Sequence, residues 1–139
     1  MTEHEAAQMG PAAGVTPHLS VVGAKAAVEF YTRAFGAEEI FRDEAEDGQR
    51  LMHAHLRING GSVMLADWFP EYAGGAPFTP PSGVTMHLQV DDADAWFKRA
   101  VDAGATVRFP LEDQFWGDRY GQVTDPFGHT WSIGAPIKR

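Results

Sequence analysis

Val15-Thr16-Pro17-His18-Leu19-Ser20-Val21 and Val84-Thr85-Met86-His87-Leu88-Gln89-Val90 are near copies of one another. They are identical at five of seven positions and lie 69 residues apart. The likeness runs on. Each stretch is followed by a turn, a helical pattern, and then Phe35-Gly36-Ala37 or Ala103-Gly104-Ala105. A period this long, present only twice, does not describe a solenoid, which stacks three or more units. It describes one module duplicated and fused, with a histidine at the same place in each copy. Paired histidines on paired strands point to a shared site.

Working outward, residues 15–22 read as a strand and 24–35 as a helix. Ala27, Phe30, Tyr31 and Ala34 fall on one helical face. Gly36 stands where a left-handed cap belongs. Strands are expected at 39–43, 50–58 and 62–68. In the second of these Met52, Ala54, Leu56 and Ile58 alternate with His53, His55 and Arg57, the mark of a half-buried antiparallel strand. Asn59-Gly60-Gly61 suits a tight hairpin. The second half repeats the order. It has a strand at 84–90 and a helix capped by Asp91 or Asp92, with Ala93, Trp96, Phe97, Ala100 and Val101 on its apolar face. Strands follow at 106–109, 120–124 and 130–134. Asp125-Pro126-Phe127-Gly128 is turn chemistry, and His129 belongs to that turn.

Residues 69–83, with four prolines and three glycines, read as a joint without regular structure. Its Phe69, Tyr72 and Phe78 either cover an apolar ligand or pack the joint onto the sheet. Residues 110–118 read as a second long loop bearing aromatics. Residues 1–14 read as a mobile tail, with His4 solvated in it. The expected organisation is that tail and one domain at 15–139. The domain comprises module 1 at 15–68, a linker at 69–83 and module 2 at 84–137.

A chain of 139 residues is one ordinary domain by length, and its 44% hydrophobic content supports a core. With no cysteine, disulfides and thiolate metal sites are excluded. The net charge of −8 argues against nucleic acid, whose phosphates require a basic face. No apolar run approaches the roughly 18 residues of a membrane span. The acidic start Met1-Thr2-Glu3-His4-Glu5 does not read as a secretory signal, so a cytoplasmic location is expected.

Two βαβββ halves in tandem, each opening on a histidine-bearing strand, resemble the vicinal oxygen chelate superfamily. This is the glyoxalase, bleomycin-resistance and ring-cleaving dioxygenase group. The resemblance covers about residues 15 to 137. It rests on Val15-Thr16-Pro17, on Phe30-Tyr31 with Phe35-Gly36-Ala37, on the run from Gln114 to Gly121, and on Asp125-Pro126-Phe127-Gly128-His129. Together these look like a glyoxalase-like branch whose members often lack an assigned reaction. The resemblance implies an α+β fold, in which two tandem modules form curved mixed sheets around a cupped cavity. It also implies a homodimer, since such cups often combine halves from different chains.

Superfamily enzymes commonly hold a divalent metal with residues from the first and last strands of each half. His18 and His87 match the first-strand positions, and imidazole suits Zn, Ni, Fe or Mn. The last-strand glutamate is missing. Aligning the Gly128 turn puts Ser132 in its place, and mapping Gly61 onto Gly128 puts Leu65 there in the first half. Asp67, two residues beyond Leu65, is the nearby substitute. The implied metal set is therefore His18, His87 and Asp67; a chain that holds no metal is an equal expectation. His53 and His55, with Asp67, offer a different polar cluster or simply line the sheet.

For a ligand, the expected contacts are Trp68 at a strand end and Phe115, Trp116 and Arg119 in the aromatic segment. An aromatic flanked by Asp118 and Arg119 could grip a planar anion. The plainer reading is an Asp–Arg pair that fixes the loop, with Trp116 buried at the sheet edge. The leading functional expectation is a protein that binds a small organic molecule in an aromatic-lined cup. Two alternatives stay open: a metal-dependent lyase or isomerase of glyoxalase type, and a drug-sequestering resistance protein.

Overall fold

The computed structural model describes residues 10, 11 and 13–138. His4 and most of the expected tail lie outside them. The chain divides into two compact units at Thr79 and Pro80, with Arg33–Phe35 grouped with the second.

The first unit opens with β1 (His18–Val21) and α1 (Ala24–Phe35), then β2 (Glu38–Glu44), β3 (Leu51–Ile58) and β4 (Gly61–Asp67). Its sheet has the order β1-β4-β3-β2, with β1 parallel to β4 and the other pairs antiparallel. Alternation decides the faces. Leu19, Leu65 and Ala54 share one ladder row and are buried. His18, Met64, His55 and Phe41 form the next row and point the other way.

The entry into α1 depends on β4. The Gly23 and Ala24 N–H groups donate to Asp67 Oδ1 at 2.8 and 3.0 Å, and the Leu51 N–H donates to Asp67 Oδ2 at 2.7 Å. The first amides of a helix have no partner within it. Here a buried carboxylate from a distant strand supplies one, and its charge also suits the helix N-terminus.

The second unit repeats the plan with β5 (Thr85–Gln89), α2 (Ala93–Ala103), β6 (Thr106–Asp113), β7 (Asp118–Thr124) and β8 (Thr130–Pro136). Its sheet order is β5-β8-β7-β6, again with the first pair parallel. Asp92 caps α2 by accepting from the Ala95 N–H at 3.1 Å. α2 covers one face of the sheet. A Cβ added at Gly121 of β7 would meet Phe97 of α2 at 2.8 Å and the Leu111 backbone of β6 at 2.9 Å, so the close approach of strand and helix there needs glycine. Behind it Trp131 is buried, and its indole Nε1 donates to Asp125 Oδ2 at 2.9 Å. The other carboxylate oxygen of Asp125 accepts from the Phe127 and His129 N–H groups, which places His129 in the turn. The two sheets are curved, and the fold is α+β with two similar modules.

Two expectations for the connecting segments need correction. The segment at 110–118 is not a long loop, because β6 runs on through Pro110 to Asp113. Only residues 114–117 turn, with Gln114 N–H donating to the Asp118 carbonyl at 2.8 Å. Proline is tolerated there because β6 is an edge strand, and the ladder is irregular between Phe109 and Glu112. The joint also has regular structure, a short 3-10 turn at Pro70–Tyr72. Its Phe69 pairs with Tyr72 and lies under the Arg50 guanidinium, while Phe78 packs edge-on against Trp68.

Candidate functional site

Each unit places a ring pair at the same position on its sheet. In the first, His18 of β1 and His53 of β3 stack with centroids 6.0 Å apart and planes 17° apart. In the second, His87 of β5 and Tyr120 of β7 stack at 5.9 Å and 19°. Register explains the match. Each histidine reaches across the intervening strand to the third strand, one row removed, over a small residue. That residue is Gly134 beside Tyr120 in the second unit. In the first it is Ala66, which continues the β3–β4 register opposite His53.

Gly134 is the close approach that permits the second pair. A Cβ there would lie 3.0 Å from His87 Cε1 and 3.5 Å from Gln89 Oε1. Without one, the imidazole lies across the strand. Its Nδ1 is 2.7 Å from Ser132 Oγ and its Nε2 is 2.8 Å from Gln89 Oε1. With an amide oxygen at Nε2, that nitrogen carries the proton, and Nδ1 accepts from the serine hydroxyl. Gln122 completes the row. Its amide Nε2 donates to the Tyr120 hydroxyl at 2.8 Å, and its Oε1 accepts from Arg108 Nη1 at 3.2 Å.

From Tyr120 the rings continue outward. Trp116 meets Tyr120 edge-on at 5.6 Å, and Phe115 meets Trp116 edge-on at 5.1 Å. Trp116 is 51% exposed and Phe115 97% exposed, at the tip of the β6–β7 turn. Trp116 is thus not buried at the sheet edge; its indole Nε1 donates to Asp118 Oδ2 at 3.2 Å.

In the first unit His55 is fully buried, and its Nε2 lies 3.0 Å from Ser62 Oγ, a hydroxyl that also accepts from Arg57. Burial and the neighbouring imidazoles of His18 and His55 push the His53 pKa down, against an opposing pull from Asp43. Trp68 donates its indole N–H to the Ala76 carbonyl at 2.9 Å, which ties the joint to the end of β4.

Arg119 lies apart from the ring path. Alternation along β7 puts it on the other face from Tyr120, where it pairs with Asp94 at 3.0 Å and Asp113 at 3.2 Å rather than with Asp118. These groups line a cleft of about 260 Å³ at the start of α2, together with Asp91, Asp92 and Lys138.

The implied metal donors carry other duties. Both Asp67 oxygens accept backbone N–H groups, and both His87 nitrogens are hydrogen-bonded. His18 and Asp67 are on opposite faces, because His18 pairs with Met64 and Asp67 is three residues on. Among the described residues no group of three or more His, Cys, Asp or Glu side chains is placed to hold a metal ion. As placed, the donors do not fit one. The repeat alignment is also shifted by one. His87 pairs with Ser132, but His18 pairs with Met64, so Met64 and not Leu65 is the counterpart of Ser132.

Sequence reasoning missed Tyr120, Gln122 and Gln89. The period-2 pattern of residues 118–124 puts Tyr120 and Gln122 on one face, but only the β5–β8–β7 register brings that face to His87.

The family model for the glyoxalase/bleomycin resistance protein/dioxygenase superfamily matches residues 15–133. The chain belongs to this superfamily. It is 54% identical over 128 residues to the uncharacterized protein Mb0911c of Mycobacterium bovis, covering 89% of this chain and 84% of that one. It is 30% identical over 144 residues to protein YjdN of Escherichia coli, covering 87% and 94%. Among solved structures, TioX from Micromonospora sp. ML1 superposes with a TM-score of 0.69 at 28% identity, over 91% of this chain and all of that one. Among the described residues no helix is long and apolar enough to cross a membrane.

Proposed function

We propose that this superfamily member binds a small planar organic molecule on the face of its second sheet that carries His87, Tyr120 and Trp116. The observation that supports this is the unbroken ring path Phe115–Trp116–Tyr120–His87, half of it in solvent. Exposed aromatics that adjoin one another leave apolar area in water, and a flat ligand laid against them removes it. Neutral hydrogen-bonding groups beside the rings supply orientation, as small-molecule sites require.

Binding without a chemical step is the reading that fits. Metal-dependent lyase or isomerase chemistry needs an open coordination site and a base. Asp67, the carboxylate of the expected metal set, is occupied by α1 and β3. Of the expected contacts, Phe115 and Trp116 serve this reading. Trp68 and Arg119 serve the joint and the α2 cleft.

The test is a fluorescence titration with planar aromatic fragments on wild type and Trp116→Phe. A fragment that binds wild type is expected to change the emission, and the variant should lose most of that change. Equal changes in both proteins would place the ligand elsewhere.

A further inference from the structure

The proton on the Tyr120 hydroxyl can be located by elimination. Arg108 has only donors, so the Gln122 atom facing its Nη1 at 3.2 Å must be the amide oxygen. This orientation of the amide satisfies both of its neighbours. The Gln122 atom 2.8 Å from Tyr120 is therefore the NH₂ group, and the tyrosine oxygen accepts from it. The hydroxyl keeps its own proton, and among the described residues no protein acceptor takes it. Arg108, acting through the Gln122 amide, polarises that O–H further.

The surrounding groups are just as specific. The His87 nitrogens are both engaged, and Ser132 is committed to Nδ1. The side chains at the middle of the face, Gln89, Ser132, Gln122 and Tyr120, are all uncharged. On the edge strand β6, Glu112 is the direct cross-strand partner of Tyr120 and Arg108 is held by Gln122, while Asp118 is held by Trp116. The middle of the face therefore offers a planar surface and a directed donor, with full charges confined to the edge strand beside it.

Resting on the binding reading above, we propose that Tyr120 is the specificity-determining residue and that the ligand class is a planar, uncharged ring system bearing a carbonyl or similar acceptor oxygen. The ring lies against Trp116 and the Tyr120–His87 pair, and its oxygen takes the Tyr120 proton. An anionic ligand at that hydroxyl would meet the Glu112 carboxylate on the neighbouring strand, while Arg108 is held by Gln122. A ligand without an acceptor would displace water from that hydroxyl and return nothing.

The experiment uses two probes of similar size and shape, coumarin with a ring carbonyl and naphthalene without one. Each is titrated by NMR into wild type and Tyr120→Phe, below the solubility of naphthalene, following the Trp116 indole N–H. Coumarin is expected to bind wild type about tenfold more tightly than naphthalene, the worth of one directed hydrogen bond. Tyr120→Phe should bring the two probes to similar affinities, with coumarin weakened and naphthalene not weakened, because no hydroxyl is then left without a partner. Equal affinities in wild type, or a coumarin preference that survives in Tyr120→Phe, would overturn the assignment while the binding face stands. If neither probe shifts the Trp116 resonance in wild type, the binding face itself is wrong and the assignment falls with it.

Discussion

His87 Nδ1 lies 2.7 Å from Ser132 Oγ, and the two residues are direct partners across the parallel β5–β8 pair. The serine stands where the superfamily resemblance calls for a glutamate. A hydroxyl there holds the imidazole in one orientation and adds no negative charge. The first-half counterpart, Met64 opposite His18, adds none either.

Ser132→Ala should cost about 1–2 kcal/mol, because the serine hydroxyl is buried and the imidazole loses its partner. Ser132→Thr, which retains a hydroxyl, should recover much of the loss. Urea midpoints of the three proteins check this, and an alanine variant as stable as wild type would contradict it.

Gly134→Ala should displace His87 without unfolding the chain. The new methyl would sit 3.0 Å from Cε1, tighter than ordinary contact, and the exposed imidazole can move by the few tenths of an ångström needed. The expected outcome is a shifted His87 ring resonance, reduced ring-current influence from Tyr120, and a stability loss of about 1 kcal/mol. An unmoved His87 resonance would show that the glycine is not what admits the ring.

Asp67→Asn should be the most damaging of these single changes. An amide has one acceptor oxygen, yet three N–H groups on two sides need acceptors. One side would face an NH₂ group, donor against donor. Hydrogen bonds to a charged acceptor are worth about 1.5–3 kcal/mol each, so a drop of at least about 3 kcal/mol is expected. Thermal unfolding measures it.

The pH response should carry a His53 component. Its folded pKa lies below the ordinary value, chiefly because burial disfavours the charged ring. The unfolded chain therefore binds the proton more readily, and acid favours unfolding. This contribution is fully present above the unfolded value of about 6.5 and is lost as pH falls toward the folded one. His53→Gln should flatten the fall in urea midpoint between about pH 7.5 and 5.5. Parallel profiles for the two proteins would refute the claim.

Self-association is expected, with Phe109 at the contact. β6 is an edge strand that leaves Val107 and Phe109 about half in solvent, and exposed edges invite pairing. Sedimentation at micromolar concentration should give twice the chain mass, and Phe109→Glu should give the monomer. A wild-type monomer would end this expectation.

The sequence by itself determined the duplication, both helices, the strands except the second half of β6, and the turn at Asp125, because these rest on local signals. Helical spacing in α1, alternation in β3 and the Asp92 cap are each set by residues a few positions apart. It also determined the superfamily, through the paired histidine strands. The tertiary structure decided which side chains meet. Asp67 could be read as a metal ligand until the fold brought the start of α1 and Leu51 to its two oxygens. Arg119 could be read beside Trp116 until alternation along β7 put Arg119 on the opposite face from Tyr120, against which Trp116 packs. Tyr120, Gln122 and Gln89 gave no signal as a group, because they sit on two strands that the chain joins only through the β5–β8–β7 register. Strand register is set by long-range packing, and a shift of one residue exchanges the two faces of a sheet. That is why the Gly128 turn put Ser132 at the glutamate position but not beside His87, and why its counterpart, Met64, was displaced by one in the sequence alignment.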